Sequence, residues 1–517
     1  MENSYLEERR EVVIIGAGPA GLSAAYNILK KNKNLKITII DEEPAAGGIA
    51  RTRYKDGNGT DIGPHRFFTK SDRVKKLWNE LLLPQGTSAI DDVILNRKFQ
   101  PELNGVNPEE EDKVFLKRKR FSRIYYNGKF FDYPIKLNST TLFLLGLKKS
   151  FMMGLSYLKA CFFKKQENNL EDFMINRFGK VLYETFFRDY TEKVWGLSPS
   201  QISKEWGEQR IKGISLRRVL IKALSNHSTE TSMIDEYFYP KYGASQLWNE
   251  MVQRISDWGG VMLFNSRVVG LKKSDNKIVS VTVKNTETGE LSEVKGDIFL
   301  SSMPVKELLT EMNEVPEGII DIAEKLEYRD FILVNFVTKN FNLKNNTNYP
   351  TINNIAPDSW IYLQDSDISA GRLDIMNSFS PYIVKNFKED VVFNLEYFCN
   401  ENDDFWKKDD KEILEYAILE LEKHNITRRQ DLTHSEVIRV KKAYPSYFGS
   451  YEKFEILKNY MNEIDNLLCI GRNGQHKYNN MDHSILSGIV AADVILGNSN
   501  KSFLWEVNTE KKYHEVK

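Results

Sequence analysis

The most constraining feature of this sequence is a glycine motif that follows a short apolar run near the start of the chain. Val12 to Ile15 are apolar, Gly16-x-Gly18-x-x-Gly21 follows at once, and Leu22 to Lys31 is compatible with a helix. In such a strand–turn–helix unit the first glycine permits the tight turn, the second lets backbone approach a pyrophosphate, and the third lets helix pack on strand. The helix N-terminus attracts phosphate. The motif therefore predicts a dinucleotide-binding α/β unit.

A second apolar run places an acidic residue where such a unit needs one. Leu35 to Ile40 closes on Asp41, near the spacing of roughly 20 residues at which an acid accepts hydrogen bonds from a ribose hydroxyl. A carboxylate at this position repels a 2′-phosphate, so NADP is disfavoured. These residues leave FAD and NAD as alternatives.

A glycine pair shortly after Asp41 separates the two alternatives. Residues 47–52 are Gly-Gly-Ile-Ala-Arg-Thr. This segment resembles the Gly-Gly-x-x-Arg-[Thr/Ser] segment of a flavoprotein superfamily that includes amine oxidases, protoporphyrinogen oxidases, phytoene desaturases and UDP-galactopyranose mutases. Paired glycines allow close backbone approach, and a guanidinium suits phosphate. The resemblance implies that Arg51 neutralises the pyrophosphate of FAD. No His or Cys attachment motif is evident, so we expect non-covalent binding.

The composition excludes several classes of protein. Lysine plus arginine and aspartate plus glutamate both number 72, which argues against a general nucleic-acid-binding surface. Cys161, Cys399 and Cys469 are far apart and form no Cys-x-x-Cys pair, which favours a reducing cytosol; no metal site is indicated. The first eleven residues lack the apolar core of a secretory signal. We expect a cytoplasmic protein.

The length predicts more than one domain. The chain has 517 residues, beyond the ~250–300 at which single cores stop growing. The resemblance implies an α/β fold, with a Rossmann-like FAD-binding domain of amine-oxidase type and a mixed α+β substrate domain formed from interleaved segments. We expect residues 1–70, 236–305 and 465–517 to form the FAD-binding domain, and residues 71–235 and 306–464 to form the substrate domain.

Local patterns predict individual elements. Asn127-Gly128 between two aromatic runs predicts a hairpin. Residues 90–113, which hold prolines and an acidic run, predict an exposed insertion. We expect mainly helices over residues 140–235, strands over 331–337, 391–398 and 466–471, and helices over 411–424 and from about 482 to 496.

A histidine lies in a second segment with family resemblance. Asp61-Ile-Gly63-Pro64-His65-Arg-Phe-Phe-Thr69 resembles the Gly-[Gly/Pro]-His segment of UDP-galactopyranose mutases and of bacterial proteins similar to protoporphyrinogen oxidases. In the mutases this loop lies against the isoalloxazine, and its histidine responds to the flavin redox state. Pro64 fixes the local backbone, and His65 supplies a donor or acceptor near neutral pH. The resemblance implies that His65 lies beside the flavin.

Motifs in the middle of the chain are similar to those of the same mutases. They are Thr191 to Pro199 with Trp195, Ile202 to Arg210, Tyr239 to Gly243, Trp360-Ile-Tyr362, Arg372, and Asn377 to Tyr382. A mixture of aromatic and cationic residues suits a cleft that stacks a ring and pairs an anion. The resemblance implies that Trp195 and Arg372 contact the substrate.

The strongest resemblance outside the first motif lies near the C-terminal end of the sequence. Gly471-Arg472-Asn-Gly-Gln-His-Lys477-Tyr478 runs on to Asn480-Met-Asp482-His483-Ser484. It resembles Gly-Arg-x-Gly-x-x-[Arg/Lys]-Tyr followed by Asn-x-Asp-His-Ser in the mutases and their bacterial relatives. There the arginine and tyrosine hold a substrate diphosphate, and a helix that starts at the aspartate points at the flavin pyrimidine edge. Asp and Ser also favour helix starts on their own account.

These motifs give three groups of predicted site residues. The predicted catalytic residues are His65, Arg472 and Tyr478, and the predicted substrate-binding residues are Trp195, Arg372, Lys477 and Tyr478. The predicted FAD-binding residues are Gly16, Gly18, Pro19, Ala20, Gly21, Asp41, Glu42, Gly48, Arg51, Gly63, Pro64, His65, Gly471, Arg472, Asp482, His483 and Ser484.

Three functional hypotheses follow from this site. In the first, an oxidoreductase transfers hydride between an anionic, sugar-related or polysaccharide-related substrate and the flavin; without a second glycine motif for NADPH, its electron partner is external. In the second, a mutase isomerises the ring of a nucleotide sugar, although the mutases' uridine-stacking residues have no counterpart here. In the third, the flavin is structural. Residues 395–399, Leu-Glu-Tyr-Phe-Cys, resemble the bacterial oxidoreductases more than any mutase, which favours the first hypothesis.

One apolar segment is interrupted by lysines. Leu142 to Phe163 contains Lys148, Lys149 and Lys159, and Lys164-Lys165 follow, so it falls short of a membrane span. Two interpretations remain: a basic amphipathic helix on a membrane surface, or a helix pair that covers the substrate domain. Under the first, residues 142–165 hold the protein peripherally at the inner face of the membrane.

Overall fold

The computed structural model describes residues 10–133, 135, 138–204, 207 and 236–509. Its strands are β1 (Glu11–Ile15), β2 (Lys36–Ile40), β3 (Thr52–Lys55), β4 (Asn58–Asp61), β5 (Leu83–Pro84), β6 (Val114–Lys119), β7 (Ser122–Tyr126), β8 (Lys129–Asp132), β9 (Glu236–Pro240), β10 (Val261–Leu263), β11 (Ser266–Ser274), β12 (Lys277–Asn285), β13 (Leu291–Lys295), β14 (Ile298–Ser301), β15 (Tyr328–Thr338), β16 (Trp360–Leu363), β17 (Arg372–Ile375), β18 (Val391–Cys399), β19 (Leu432–Pro445) and β20 (Leu467–Cys469).

Most of the helices lie between these strands, and five of them follow one another without a strand. They are α1 (Pro19–Lys31), α2 (Asp72–Leu81), α3 (Ile90–Ile94), α4 (Ser139–Leu145), α5 (Leu147–Phe162), α6 (Leu170–Phe178), α7 (Lys180–Phe186), α8 (Arg188–Trp195), α9 (Ser245–Asp257), α10 (Val305–Thr310), α11 (Glu317–Glu324), α12 (Asp404–Lys407), α13 (Asp410–Lys423), α14 (Phe454–Glu463), α15 (Gly471–Gly474) and α16 (Met481–Ile495).

A five-stranded parallel sheet carries the glycine motif. Its order is β10-β2-β1-β14-β20, and the strands are short apolar runs because both faces are covered. Helices α1 and α16 pack together on one face, where a Cβ on Gly488 would lie 2.2 Å from the Ala20 carbonyl oxygen. The Rossmann-like α/β fold is therefore confirmed. The sheet draws strands from residues 11–40, 261–301 and 467–469, and on this basis we propose the interleaved domain division at residues 70, 235, 305 and 464.

A seven-stranded sheet is the second large sheet of the molecule. Its order is β19-β15-β18-β17-β16-β7-β8, antiparallel except for the pair β16–β7. Helix α13 packs against it through Ile413, Ala417 and Leu421. The predicted Asn127-Gly128 hairpin is confirmed: both residues have positive φ, 49° and 71°, as a two-residue hairpin turn requires.

Residues 90–113 are largely exposed, as predicted, but the start of the segment is not. Helix α3 opens the segment, and Asp91 and Asp92 within it are buried. Arg118 lies 3.2 Å from Asp91, and Arg97 lies 2.9 Å from Asp92. Two paired carboxylates thus anchor the start of the segment to the strand β6.

Helices dominate the described residues from 139 to 204. Part of the Ile202–Arg210 motif and the helical pattern predicted up to residue 235 lie outside the described residues. Among those described, no helix is both long enough and apolar enough to cross a membrane.

Candidate functional site

A cavity of about 1370 Å³ lies between the two large sheets. It borders the residues that follow β1, β2 and β14, the carboxyl edge at which open parallel sheets bind ligands. The predicted FAD-binding residues that line it are Gly16, Gly18, Pro19, Ala20, Asp41, Glu42, Gly48, Arg51, Gly63, Pro64, His65, Gly471, Arg472, Asp482, His483 and Ser484. The structure therefore brings together motifs that lie more than 400 residues apart in sequence.

Each glycine of the first motif has a different physical task. Gly16 has φ of +106°, and a Cβ there would lie 2.0 Å from Ser302 Oγ. A Cβ on Gly21 would lie 1.9 Å from the Gly16 carbonyl oxygen, so Gly21 serves helix packing and does not line the cavity. A Cβ on Gly18 would meet no atom within 4 Å, because Gly18 faces the cavity at the start of α1. The open space there fits the close approach of a pyrophosphate.

Asp41, the acidic residue predicted to bind the ribose, lies directly after β2. Its two carboxylate oxygens accept hydrogen bonds from the backbone N–H groups of Ala17 (2.6 Å) and Glu43 (2.9 Å). Burial raises the pKa of Asp41 to about 6, although both backbone donors favour the charged form. These bonds orient the carboxyl group towards the cavity that it lines.

The glycine pair and Arg51 supply a phosphate-binding corner. Gly48 has φ of +54°, and a Cβ there would lie 3.5 Å from Gly18 Cα, so the two glycine motifs touch. Arg51 Nη2 donates to Glu43 Oε2 at 2.6 Å, whereas Nη1 is buried without a hydrogen-bond partner. A buried guanidinium nitrogen that lacks an acceptor fits a phosphate oxygen. The residues present therefore fit the pyrophosphate of FAD.

His65 lies on a loop that borders the same cavity. Gly63 has φ of +86°, and a Cβ there would lie 3.3 Å from Glu396 Oε1. His65 Nδ1 lies 3.6 Å from Asp61 Oδ2 and has no hydrogen-bond partner. Asp61 is fully buried and accepts hydrogen bonds from Thr52 (2.5 Å) and Tyr239 (2.8 Å). The imidazole thus faces the cavity with a buried carboxylate behind it.

The helix predicted to start at Asp482 begins one residue earlier. Helix α16 starts at Met481 with Asn480 as its N-cap, and the Asn480 N–H donates to His483 Nδ1 at 3.1 Å. This bond is the half of a capping box in which the N3 side chain accepts from the backbone N–H of the N-cap residue. Asp482 and Ser484 line the cavity instead.

Arg472 is held by carbonyl groups and flanked by aromatic rings. Its Nε donates to the Asn479 oxygen and its Nη1 to the Ala443 oxygen, both at 2.8 Å. The guanidinium carbon lies 5.3 Å from the ring centre of Tyr444 and 5.2 Å from that of Tyr478, and the two rings stack at 5.4 Å. Carbonyls orient a guanidinium without neutralising it, so Arg472 keeps its net positive charge.

Arg372 differs from Arg472 because a carboxylate neutralises it. Its Nε donates to Glu396 Oε2 at 2.6 Å, and its Nη2 donates to Tyr444 at 3.1 Å. Glu396 is fully buried, so this ion pair fixes Arg372 in the cavity wall. Burial raises the pKa of Tyr444 to about 12, which keeps its hydroxyl protonated.

Two predicted substrate-binding residues occupy other positions. Lys477 contributes to the cavity lining, but its amine donates to the backbone oxygens of Trp505 (3.3 Å) and Val507. Burial lowers the pKa of Lys477 to about 8. Trp195 packs in the hydrophobic cluster of α5 to α8 and does not line the cavity. The apolar face of α8 holds this indole inside the helical layer.

One cation that stacks on an aromatic ring was not predicted from the sequence. The Arg66 guanidinium lies 3.5 Å from the ring centre of Trp360, and both residues line the cavity. Arg120 and Tyr237 line it too. Arg66 directly follows His65, so the motif around His65 could have predicted that it lies in the site. Nothing in the sequence indicated Arg120.

The glycine loop, acid, paired glycines and arginine together define an FAD-dependent enzyme. Residues 19–496 match the family described as flavin-containing amine oxidoreductase, and the chain belongs to this family. The cofactor is FAD, as predicted.

Curated relatives match parts of the chain. Coproporphyrinogen III oxidase of Bacillus subtilis (strain 168) is 34% identical over 105 residues, which are 19% of this chain and 22% of that protein. An L-amino-acid oxidase of Crotalus adamanteus is 25% identical over 301 residues, 56% of this chain and 50% of that protein. The match thus spans about half the length of the latter oxidase.

Solved structures match nearly the whole chain. A reduced UDP-galactopyranose mutase superposes with a TM-score of 0.75 at 20% identity and covers 98% of this chain and 100% of its own. A putative protoporphyrinogen oxidase from Exiguobacterium sp. 255-15 gives 0.62 at 13% identity, covering 94% and 99%. At these identities the likeness shows the fold alone.

Proposed function

We propose that this flavoenzyme is an oxidoreductase that takes hydride from an anionic, sugar-related substrate in the cytoplasm. The observation that supports an anionic substrate is Arg472, whose guanidinium lines the cavity beside the stacked rings of Tyr444 and Tyr478. In the part of the chain that the structure describes, it forms no salt bridge with a carboxylate. A guanidinium of this kind pairs with phosphate or carboxylate.

The cavity wall can also position such a substrate. Arg66 presents a second guanidinium on Trp360, while the ion pair with Glu396 holds Arg372 in one position. Tyr444, protonated because burial raises its pKa to about 12, lies within reach of Arg372. These groups orient an anionic end. His65, which lines the cavity with the buried Asp61 carboxylate 3.6 Å from its Nδ1, is the group placed to accept or hold a proton.

Membership of an amine oxidoreductase family supports hydride transfer. When bound, FAD supplies a two-electron acceptor, and an external acceptor of the oxygen or quinone class takes those electrons onward. No second glycine motif for a nicotinamide cofactor is present in the sequence, which supports an external partner.

A second candidate is a mutase that isomerises a nucleotide sugar. The specific observation in its favour is the cluster of Arg472, Tyr444 and Tyr478 beside the ion-paired Arg372, because the uncompensated guanidinium of Arg472 and the phenolic hydroxyls suit a diphosphate. Mutase action requires reduced flavin, whereas substrate oxidation requires oxidised flavin.

The two candidates are separated by flavin absorbance under anaerobic conditions. Candidate anionic sugars are added to the oxidised protein and, in a parallel sample, to protein reduced with dithionite. Bleaching of the oxidised flavin in a single turnover supports the oxidoreductase. Isomerisation of a nucleotide sugar only after dithionite, without bleaching beforehand, would refute it and establish the mutase.

A further inference from the structure

An apolar stripe on helix α5 faces solvent. The most exposed side chains are Leu147 (91%), Phe151 (68%) and Phe162 (78%), with Leu155 and Leu158 half exposed between them. At about 100° per residue, these five positions fall within an arc of roughly 80° on one side of the helix. Phe143 of α4, also largely exposed, precedes the stripe. We call the stripe and Phe143 the α5 docking surface.

The opposite side of α5 is firmly packed. Met153 and Ala160 are buried, and Met153 belongs to the hydrophobic cluster of helices α6 to α8. A Cβ on Gly179 would lie 2.8 Å from the Tyr157 backbone nitrogen, so the start of α7 approaches the backbone of α5 closely. The docking surface is therefore presented by a fixed helix rather than by a loose loop. Among the described residues, the outer face of α5 is left exposed.

The charged side chains within the segment that carries this surface are of one sign. Lys148 and Lys159 lie at one edge of the stripe, and Lys164 follows its end, all three exposed. Residues 138–165 contain no aspartate or glutamate, whereas the whole chain has a net charge of zero. Lys149, by contrast, turns inward and donates to the Tyr126 hydroxyl at 2.9 Å. An apolar face bordered by lysines matches the acyl region and headgroups of an anionic bilayer.

We propose that the α5 docking surface binds the surface of an anionic lipid bilayer. Soluble monomers rarely expose apolar patches this continuous. A symmetric pair of two copies would place the same lysines against one another across the interface, which disfavours a second copy of this chain. The hydrophobic cluster beneath α5 includes Tyr133 and Tyr362, which also line the FAD cavity. Docking therefore brings that wall of the cavity close to the lipid surface.

A natural cysteine provides the test. Cys161 lies on α5 and is exposed, whereas Cys399 and Cys469 are buried, so an environment-sensitive maleimide dye labels the native holoenzyme at one place. We expect the dye emission to shift to the blue, and the protein to float, with vesicles of phosphatidylcholine and phosphatidylglycerol. Vesicles of phosphatidylcholine alone should bind more weakly, and salt should weaken binding to the mixed vesicles.

Matched variants separate the apolar and charged contributions. Phe151→Asp with Leu155→Asp should weaken vesicle binding at least about tenfold. Lys148→Glu with Lys159→Glu should weaken it by ~25-fold or more, since each lysine near a charged leaflet contributes roughly fivefold. Leu103→Asp, at a residue that is 87% exposed elsewhere on the protein, should bind as the parent does. Unchanged FAD content in every variant shows that the fold is intact.

Four outcomes would overturn the proposal. They are failure to float with the mixed vesicles, unchanged binding of the Phe151 and Leu155 variant, and a Cys161 thiol that reacts only after denaturation, which would mean that another part of the chain covers the surface. The fourth is a dimer in sedimentation velocity that the Phe151 and Leu155 variant converts to monomer. None of these outcomes bears on the flavin chemistry, so this proposal and the proposed function fail separately.

Discussion

Replacing Gly18 with alanine should weaken FAD binding without weakening the fold. The position has φ of −78° and ψ of −178°, which alanine adopts without strain. A Cβ there would touch nothing within 4 Å in the protein. Alanine is a poorer N-cap than glycine by about 0.5–1 kcal/mol. Alanine also lowers the conformational entropy of the unfolded chain, which stabilises the folded state by about 0.4–1 kcal/mol. These terms roughly cancel, so the apoprotein should unfold at nearly the same denaturant concentration.

The free-energy cost of Gly18→Ala is expected in the binding of the FAD pyrophosphate and not in folding. The added methyl group occupies the space through which phosphate reaches the N–H groups at the start of α1. Losing one charge-assisted hydrogen bond costs about 1.5–3 kcal/mol, which corresponds to roughly a 10- to 150-fold weaker Kd for FAD. Titration of deflavinated protein with FAD, followed by flavin fluorescence, measures this change.

Gly16→Ala is the matched comparison because its cost lies in the fold. The positive φ costs alanine about 1–2 kcal/mol, and the clash with Ser302 Oγ breaks its 3.0 Å bond to the Ile15 oxygen, worth about 1 kcal/mol. The apoprotein should therefore lose about 2–3 kcal/mol of unfolding free energy. If Gly18→Ala bound FAD as tightly as the parent, the glycine loop would not be the phosphate cradle and the assignment of the cavity would fall.

The purified protein should be yellow and should release intact FAD into the supernatant on denaturation; flavin that stays with the precipitated chain would contradict non-covalent binding. Arg472→Ala should weaken binding of the anionic substrate roughly 10- to 150-fold with flavin content nearly intact, measured as KM and as bound FAD, and a loss of flavin instead would place Arg472 in the cofactor site. Burial, together with repulsion from Glu396, raises the pKa of Asp374 well above its usual range, so the native state holds a proton that the unfolded state releases above about pH 4. Stability from this group is complete below that pH and declines as the pH rises towards the raised pKa. Urea unfolding of Asp374→Asn at several pH values should therefore show a shallower decline of unfolding free energy than the parent. Equal slopes would refute the protonation of Asp374 in the native state.

The sequence predicted those parts of the site whose conformation is set by residues close to them along the chain. Gly16, Gly18 and Gly21 follow from the geometry of one strand–turn–helix unit, and Arg51 from the resemblance a few residues later. The hairpin at Asn127-Gly128 obeys an equally local rule. In each case the neighbours that impose the conformation lie close in sequence, so the pattern suffices.

What the sequence did not predict depends on distant partners. Arg66 stacks on Trp360, which lies nearly 300 residues further along the chain. A local sequence pattern does not predict such a contact. The pairing of Arg372 with Glu396 depends on the register of β17 against β18. The motif predicted that Lys477 binds substrate, but its amine donates to the backbone oxygens of Trp505 and Val507. The direction in which such a side chain points depends on the hydrogen-bond acceptors that the fold places near it.

The construction of the FAD site has a consequence for how the cofactor is acquired in the cell. The loop of Gly47 to Thr52 is fastened by Trp248, whose indole N–H donates to the Ala50 oxygen at 2.5 Å, and by Ser245. Gly471, against Ala20, arrives more than 400 residues after the first glycine motif. Because a ribosome delivers the chain from its N-terminal end, the FAD site remains incomplete through most of translation. FAD should therefore bind only once the strand β20 and the helix α16 have emerged, which makes flavin capture a marker of finished chains rather than of growing ones.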